Sequence, residues 1–184
     1  MNLTNIFQNI RLKPKDVLIL ASVLLIGVFI LLYFLFKQDS ADNFKSEIEG
    51  LTKSVRTHFQ KSIDYHGLNT QYVIKNAIAP KEMIRANKLF SKSQNQIFVG
   101  RDIKGNPVGV FEKSFGITYL NLNQKKCHEL LLTEFSEQSG LIGILLSNEK
   151  LYEFSYGGTP ALPVTQDAAR SYCQNKNTIM LTFE

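Results

Sequence analysis

Tryptophan is absent from these 184 residues, cysteine occurs twice and histidine three times. Those scarcities exclude chemistry. His58, His66 and His128 fall into neither an HExxH pattern nor a cysteine–histidine zinc set, so no metal is expected. GxSxG, a Walker loop and GxGxxG are missing as well. Gly157-Gly158-Thr159 matches a phosphate cradle only in composition and runs into a proline-containing polar loop instead of a helix. Without a CxxC pair there is no basis for redox catalysis. Cys127 stands beside His128, but successive helical residues point about 100° apart. A disulfide at Cys127 would also consume the nucleophile, so His128 reads as a surface residue. Lys81, Arg85, Lys88 and Lys92 flank Phe90 without the interleaved aromatics that stack bases. The expectation is a protein that is not an enzyme, with no catalytic residue, no cofactor and no nucleic-acid partner.

What the sequence has instead is one long apolar run. Val17 to Phe36 contains no ionisable side chain except the Tyr33 phenol. As a helix it would be about 30 Å long, enough to cross the hydrocarbon of a bilayer. Arg11, Lys13 and Lys15 precede it, whereas Lys37 is followed by Asp39 and Asp42, so the positive-inside bias places the N-terminus in the cytoplasm. A cleaved secretory signal is the competing reading. The run is longer than a usual signal core, and Asp39 stands where cleavage needs a small residue, so retention is favoured. The chain then divides into a cytoplasmic segment (1–16), a transmembrane helix (17–36) and an extracytoplasmic, periplasmic domain (37–184). That domain has the commonest size for one that buries its own core.

The formal charge of +5 is uneven. Lys and Arg dominate Lys45 to Lys126, whereas Glu129, Glu134, Glu137, Glu149, Glu153 and Asp167 make the last third acidic. Ends of opposite sign favour contact between copies or with charged neighbours; a solvated surface is the plainer reading. Cys127 and Cys173 both lie in the exported part, where an oxidising compartment lets them pair. A disulfide is expected, with two buried thiols as the alternative. Closing a loop of roughly 45 residues would contribute on the order of 4 kcal/mol in the chain-entropy model.

Phe44, Ile48, Leu51, Val55, Phe59 and Ile63 recur at spacings of four and three, the period of one apolar helical stripe. With no proline between Val17 and Glu49 and Gly27 the one glycine there, anchor and stripe can form one helix of about 70 Å; a separate helix after a flexible Asp-Ser-Ala-Asp joint is the alternative. His66 to Thr70 reads as a turn ending this helix. Gln71 to Ala79 reads as a short helix, and Pro80 to Ile84 as a second turn entry. Gln96 to Gly100, Val108 to Phe111 and Phe115 to Tyr119 read as antiparallel strands, two of them joined by a turn at Lys104-Gly-Asn-Pro107. Leu122, Cys127, Leu130 and Leu131 fall at helical spacing with Asn123 as cap. A strand or short helix around Leu141 to Leu146, a polar loop, a helix from Thr165 to Cys173 and a final strand Thr178 to Phe183 follow.

Phe115-Gly-Ile-Thr-Tyr-Leu-Asn-Leu-Asn-Gln-Lys-Lys-Cys-His-Glu-Leu130 resembles the type IVb pilin pattern of a strand followed by a cysteine on a helix. Val164-Thr-Gln-Asp-Ala-Ala-Arg-Ser-Tyr-Cys-Gln-Asn-Lys-Asn-Thr-Ile-Met-Leu-Thr-Phe183 resembles the closing segment of that family, where a Thr-initiated helix carries the second cysteine. Leu68-Asn-Thr, Ile78-Ala-Pro-Lys-Glu-Met83 and Asn95-Gln-Ile-Phe-Val99 are similar to its loop and first strand. The resemblance implies an α+β fold: a long N-terminal helix, half membrane-spanning and half amphipathic, packed on an antiparallel sheet, with a C-terminal region bounded by Cys127 and Cys173. Phe44, Ile48, Leu51, Val55 and Phe59 would pack helix on head.

Pilins lose a leader after a glycine, leaving an aromatic N-terminus and a glutamate a few residues on. Here Asp16 stands directly before Val17, Arg11 falls near the cleavage point and no glycine precedes Val17. Asp16 either keeps the acidic role toward a neighbouring subunit or is a juxtamembrane charge. Unprocessed, a charged N-terminal segment holds the protein in the bilayer. The expectation is a pilin-like component of a type IVb pilus, secretion or conjugation apparatus, anchored in a bacterial inner membrane by Asp16 and Val17 to Phe36. Its partners would be the membrane and other subunits, including copies of itself. An atypically processed major or minor pilin and an unrelated bitopic scaffold are the alternatives.

Overall fold

The computed structural model describes residues 22–31 and 39–184 and divides at Asp39 and Ser40 into two units. In the first, residues 22–31 are helical and their large apolar side chains are exposed. Among the described residues no helix is long and apolar enough to cross a membrane. Half of the run Val17 to Phe36, and with it Asp16, Val17 and Phe36, lies outside them.

The second unit is an α+β head. Helix α1 (Asp39–Phe59) follows from its stripe: Phe44, Ile48, Leu51, Val55 and Phe59 share one face and are buried. Asp39-Ser-Ala-Asp42 is itself helical, while the junction with the apolar run, residues 32–38, lies outside the described residues. Arg56 and His58 in the last turn suit the negative end of the helix dipole. The expected continuation to His66 fails. α1 stops at Phe59, and Ile63, the next member of the stripe, is 85% exposed. Asp64 explains this, because its carboxylate accepts the His66 N–H at 3.0 Å and the Phe111 N–H at 2.6 Å, and so holds a turn that a helix would break.

Gly50 lies inside α1, exposed, and an added Cβ would meet nothing within 4 Å. Gly50→Ala should therefore raise the unfolding free energy by about 0.5–1 kcal/mol through backbone entropy alone. Urea titration of wild type and variant checks it, and a loss of stability would show that α1 bends at this point.

Eight strands follow: β1 (Ile84–Arg85), β2 (Lys88–Phe90), β3 (Gln96–Gly100), β4 (Phe115–Leu122), β5 (Leu141–Ser147), β6 (Leu151–Tyr156), β7 (Ala161–Leu162) and β8 (Asn177–Phe183). They form one sheet in the order β1-β2-β3-β4-β8-β5-β6-β7, antiparallel except for the parallel β6–β7 pair. Register lines the inner face in two rows. One runs Ile97, Tyr119, Ile179, Leu146, Tyr152 and the other Val99, Ile117, Leu181, Ile144, Phe154. These rows share a core with the α1 stripe, and the Phe44 and Tyr119 rings meet edge to face at 5.5 Å.

Three short helices complete the head: α2 (Thr70–Lys75), α3 (Gln124–Leu131) and α4 (Gln166–Tyr172). Asn69, Asn123 and Thr165 cap them by accepting the N–H groups of Tyr72, Lys126 and Ala168. α2 ends four residues short of the expected Ala79, while Leu122, expected in the α3 pattern, closes β4.

Val108 to Phe111, expected as a strand, is not one. Its hydrogen bonds go elsewhere: Val108 exchanges main-chain bonds with Leu68 and Gly67, and Phe111 is held by Asp64 in a left-handed conformation, φ +68°. The turn entry read over Pro80 to Ile84 is present as a single 3-10 turn, Lys81–Met83, and the β1–β2 hairpin follows it. Its two-residue turn, Ala86 and Asn87, has both φ values positive, the geometry that matches strand twist. The segment after Leu146 holds β6 and β7 where a polar loop was expected.

Candidate assembly surfaces

The spine helix carries an acid beside its apolar stripe. Glu47, only 7% exposed, accepts the Tyr119 hydroxyl proton at 2.7 Å on Oε1 and the Lys92 N–H at 2.6 Å on Oε2. Burial pushes its carboxyl above the usual range, against those two hydrogen bonds and the Lys92 charge. The buried Tyr119 phenol is pushed up as well, by burial and by the carboxylate facing it. Lys92 belongs to the loop 91–95, which is fastened twice more. Lys126 Nζ donates to Ser93 O at 2.7 Å and to Asn95 Oδ1 at 2.8 Å, and Asn95 Nδ2 donates to Leu120 O at 3.1 Å. α1, β4 and α3 thus meet through one loop. Sequence reasoning missed Glu47, although an acid three residues after Phe44 and four before Leu51 on an amphipathic helix was the available signal.

Cys127 on α3 and Cys173, which caps α4, form a disulfide with Cα atoms 5.8 Å apart. Hydrogen bonds reinforce the crossing. Buried Asn177 donates to Leu122 O and Gln174 O and accepts from the Gln174 N–H, while Gln124 Nε2 donates to Cys173 O at 3.2 Å. Asn148 Nδ2 reaches Tyr172 O at 2.8 Å. The open depression over these groups, about 910 Å³, is lined by Gln124, Asn148 and Asn177, engaged in these bonds, and by Glu149, Asn175 and Lys176.

Arg56 closes the far side of α1. Its guanidinium donates to Gln138 O at 2.9 Å and to Glu184 O. Gly140 permits this approach: its φ is +62°, and a Cβ there would run into the guanidinium and come within 2.8 Å of Glu184 O.

The histidines do not come together by any recorded contact. His58 Nε2 lies 3.1 Å from the Tyr72 hydroxyl. His128, read as a surface residue, is half-buried with Nε2 enclosed and unpartnered, because α3 turns that side of the ring inward. Among the described residues no group of three or more His, Cys, Asp and Glu side chains is placed to hold a metal.

Charge separates along the sheet. Residues 70–113, which hold β1–β3 and α2, contain eight basic and three acidic residues, a balance of +5; residues 133–170, which hold β5–β7, contain two basic and five acidic, a balance of −3. Lys81, Arg85, Lys88 and Lys92 are exposed on the first side, and Glu134, Glu137, Glu149, Glu153 and Asp167 on the second. β7 pairs only with Ser155 and Tyr156, which leaves Leu151 to Phe154 of β6 beyond its reach; Leu151 is exposed. A separate exposed apolar group, Ile63, Val110 and Phe111, is set by the Asp64 turn, whose carboxyl is held low by the His66 and Phe111 N–H groups.

No protein-family model matches the sequence, and no curated protein matches it significantly. The chain is similar to two solved type IV pilins. Against a type IVb pilin from Salmonella typhi the identity is 20% over 77% of this chain and 95% of that one, with a TM-score of 0.49. Against TcpA, a type IV pilin from the El Tor biotype of Vibrio cholerae, it is 12% over 78% of this chain and 99% of the other, with a TM-score of 0.45.

Proposed function

We propose that this chain is a non-enzymatic pilin-like subunit, held in a bacterial inner membrane by Val17 to Phe36 with its head in the periplasm, in a type IVb pilus, secretion or conjugation apparatus. The observation that carries the reading is α1: one face is consumed by the head core, and the helix begins only three residues after the apolar run read from sequence. Such a helix follows the apolar run closely in sequence and spends its own apolar face on the head. The head offers partners a basic sheet end, an acidic sheet end and an uncovered stretch of β6. Complementary ends on one molecule fit head-to-tail contact with a second copy or a related subunit, since a heterologous contact repeats along an assembly.

A photo-crosslinking residue in place of Arg85, in intact cells, tests it. Adducts resolved by mass spectrometry as two copies of this chain, or as this chain with another subunit carrying an N-terminal apolar helix, are expected. They should disappear when Glu149 and Glu153 are changed to Lys in the acceptor copies. Adducts with lipid alone, or none, would sink the assembly reading. Intact mass of the membrane-extracted protein separates the two pilin-type alternatives: loss of roughly the first 11–15 residues identifies a processed filament subunit, and retention identifies the anchored form.

A further inference from the structure

The geometry points to a binding groove for a carboxylated pyranose, an acidic sugar, between the β1–β2 turn, α2 and the turn at 102–106. The groove shares Lys88 with the basic sheet end, but its test reads sugar binding and not subunit contact, so either reading can fail alone. The groove arises because β2 is too short to cover β3. Where β2 ends, α2 takes over the edge: Thr70 Oγ1 accepts the Val99 N–H at 3.0 Å and donates to Val99 O at 3.3 Å. Gln71 Nε2 spans to Asn87 O at 3.2 Å and ties this wall to the hairpin turn.

The third wall is built by Asp102. Its carboxylate accepts the Lys104 N–H at 2.8 Å, the Asn106 N–H at 3.2 Å and the Asn106 side-chain amide, which locks the turn. The locked turn presses Gly105 onto the floor. A Cβ there would stand 3.2 Å from Phe98 Cβ and 3.3 Å from Thr70 Oγ1, and φ is +72°, so only glycine lets the loop sit this close.

The resulting groove, about 700 Å³, is in the range of small-molecule sites. Its floor is the half-buried Phe98 ring. Lys88, Lys104, Asn87 and Gln96 line the groove with it, none with a side-chain hydrogen bond or salt bridge among the described residues, although the Lys104 charge acts on Asp102 behind the turn. No acidic residue lines it. Each element has one fitting counterpart in an acidic sugar. The ring's negative face takes the polarised C–H face of a pyranose, the amides take vicinal hydroxyls, and the ammonium pair takes the carboxylate. A phosphate would leave the ring and amides unused, and a base-stacking ligand would need more than one aromatic.

Titration calorimetry on the detergent-solubilised full chain tests this with three probes: 3′-sialyllactose, tetragalacturonate and lactose. Saturable binding of at least one acidic sugar is expected, with lactose weaker by about tenfold or more, the effect of one lost charge contact of about 1.4 kcal/mol. Whichever acidic sugar binds identifies the source, a sialylated glycan or a uronic polysaccharide. Lys88→Gln and Lys104→Gln, both at exposed positions, should each weaken binding about tenfold, as should Gln96→Ala to a smaller degree, while Lys53→Gln on α1 leaves it unchanged. The inference is overturned by absence of saturable binding of both acidic sugars, by equal affinity for lactose, by indifference to the groove substitutions, or by equal competition from triglutamate, which would make this a general anion surface.

Discussion

Replacing Cys127 or Cys173 by serine lowers the stability of the head by on the order of 4 kcal/mol, a large share of what a single domain has. The bridge joins positions 46 apart, and between them lie the second half of α3, β5, β6, β7 and all of α4. Opening it frees that entire stretch in the unfolded chain, which is where the entropic term acts. Both sulfur positions are buried, so serine also leaves hydroxyls in an apolar setting. The check is urea unfolding under non-reducing conditions, with the wild type reduced as a second arm. A midpoint lower by about 2 M is expected for a urea slope near 2 kcal/mol/M. An unchanged midpoint would mean that Asn177 and Gln124 hold the crossing of α3 and α4 without the sulfurs.

Glu47 gives the second large effect and the only one with a characteristic pH signature. Glu47→Ala strands the Tyr119 hydroxyl and the Lys92 N–H in the interior and should cost about 2–4 kcal/mol, even after the relief of removing a buried charge. Glu47→Gln keeps both contacts, because a tyrosine hydroxyl accepts as readily as it donates, and should lie within about 1 kcal/mol of wild type. The folded head holds the Glu47 proton more tightly than the unfolded chain does, so the linked stability is full below pH 4.5 and is lost as pH rises through the elevated folded value. Wild type therefore gains stability on acidification from neutral toward pH 4.5, and Glu47→Gln flattens that gain. Asp64 and Asp102 act in a separate window. Their carboxyls lie below 3.8 in the folded head, Asp64 through hydrogen bonds from two N–H groups, Asp102 despite some desolvation and through the Asn106 and Lys104 bonds. Their contribution is present above pH 3.8 and declines only under stronger acid. A wild-type profile that falls monotonically from pH 7 to pH 4.5 would contradict the role assigned to Glu47.

The elements that the sequence announced are those whose signals are local. The α1 stripe from Phe44 to Phe59, the Asn123 and Thr165 caps and the alternation of β8 each depend on spacing within one segment, and each element forms close to its expected place. What escaped depends on distant partners. Ile63 kept helical spacing but lost its helix to Asp64, a residue whose partner Phe111 lies 47 positions away. Val108 to Phe111 has strand composition, yet its main chain is engaged by Asp64, Gly67 and Leu68, which no window around it contains. β1 and β2 are too short to show alternation. The candidate surfaces were legible only as a charge gradient; that its two signs occupy opposite ends of one sheet follows from strand order, which composition does not encode. Glu47 was visible as a pattern violation, and its meaning required Tyr119, 72 positions on.

β8 lies between β4 and β5, at the centre of the sheet. It is also the last strand in sequence, so without it β1–β4 and β5–β7 would be two half-sheets, each with a bare edge of main-chain donors and acceptors. Nothing local can close either edge, because each is completed only by a segment some 55 residues beyond β4 or some 30 beyond β5. The same seven residues thus join the two halves of the sheet: a head from which Asn177–Phe183 is withdrawn exposes both edges to strand exchange and proteolysis.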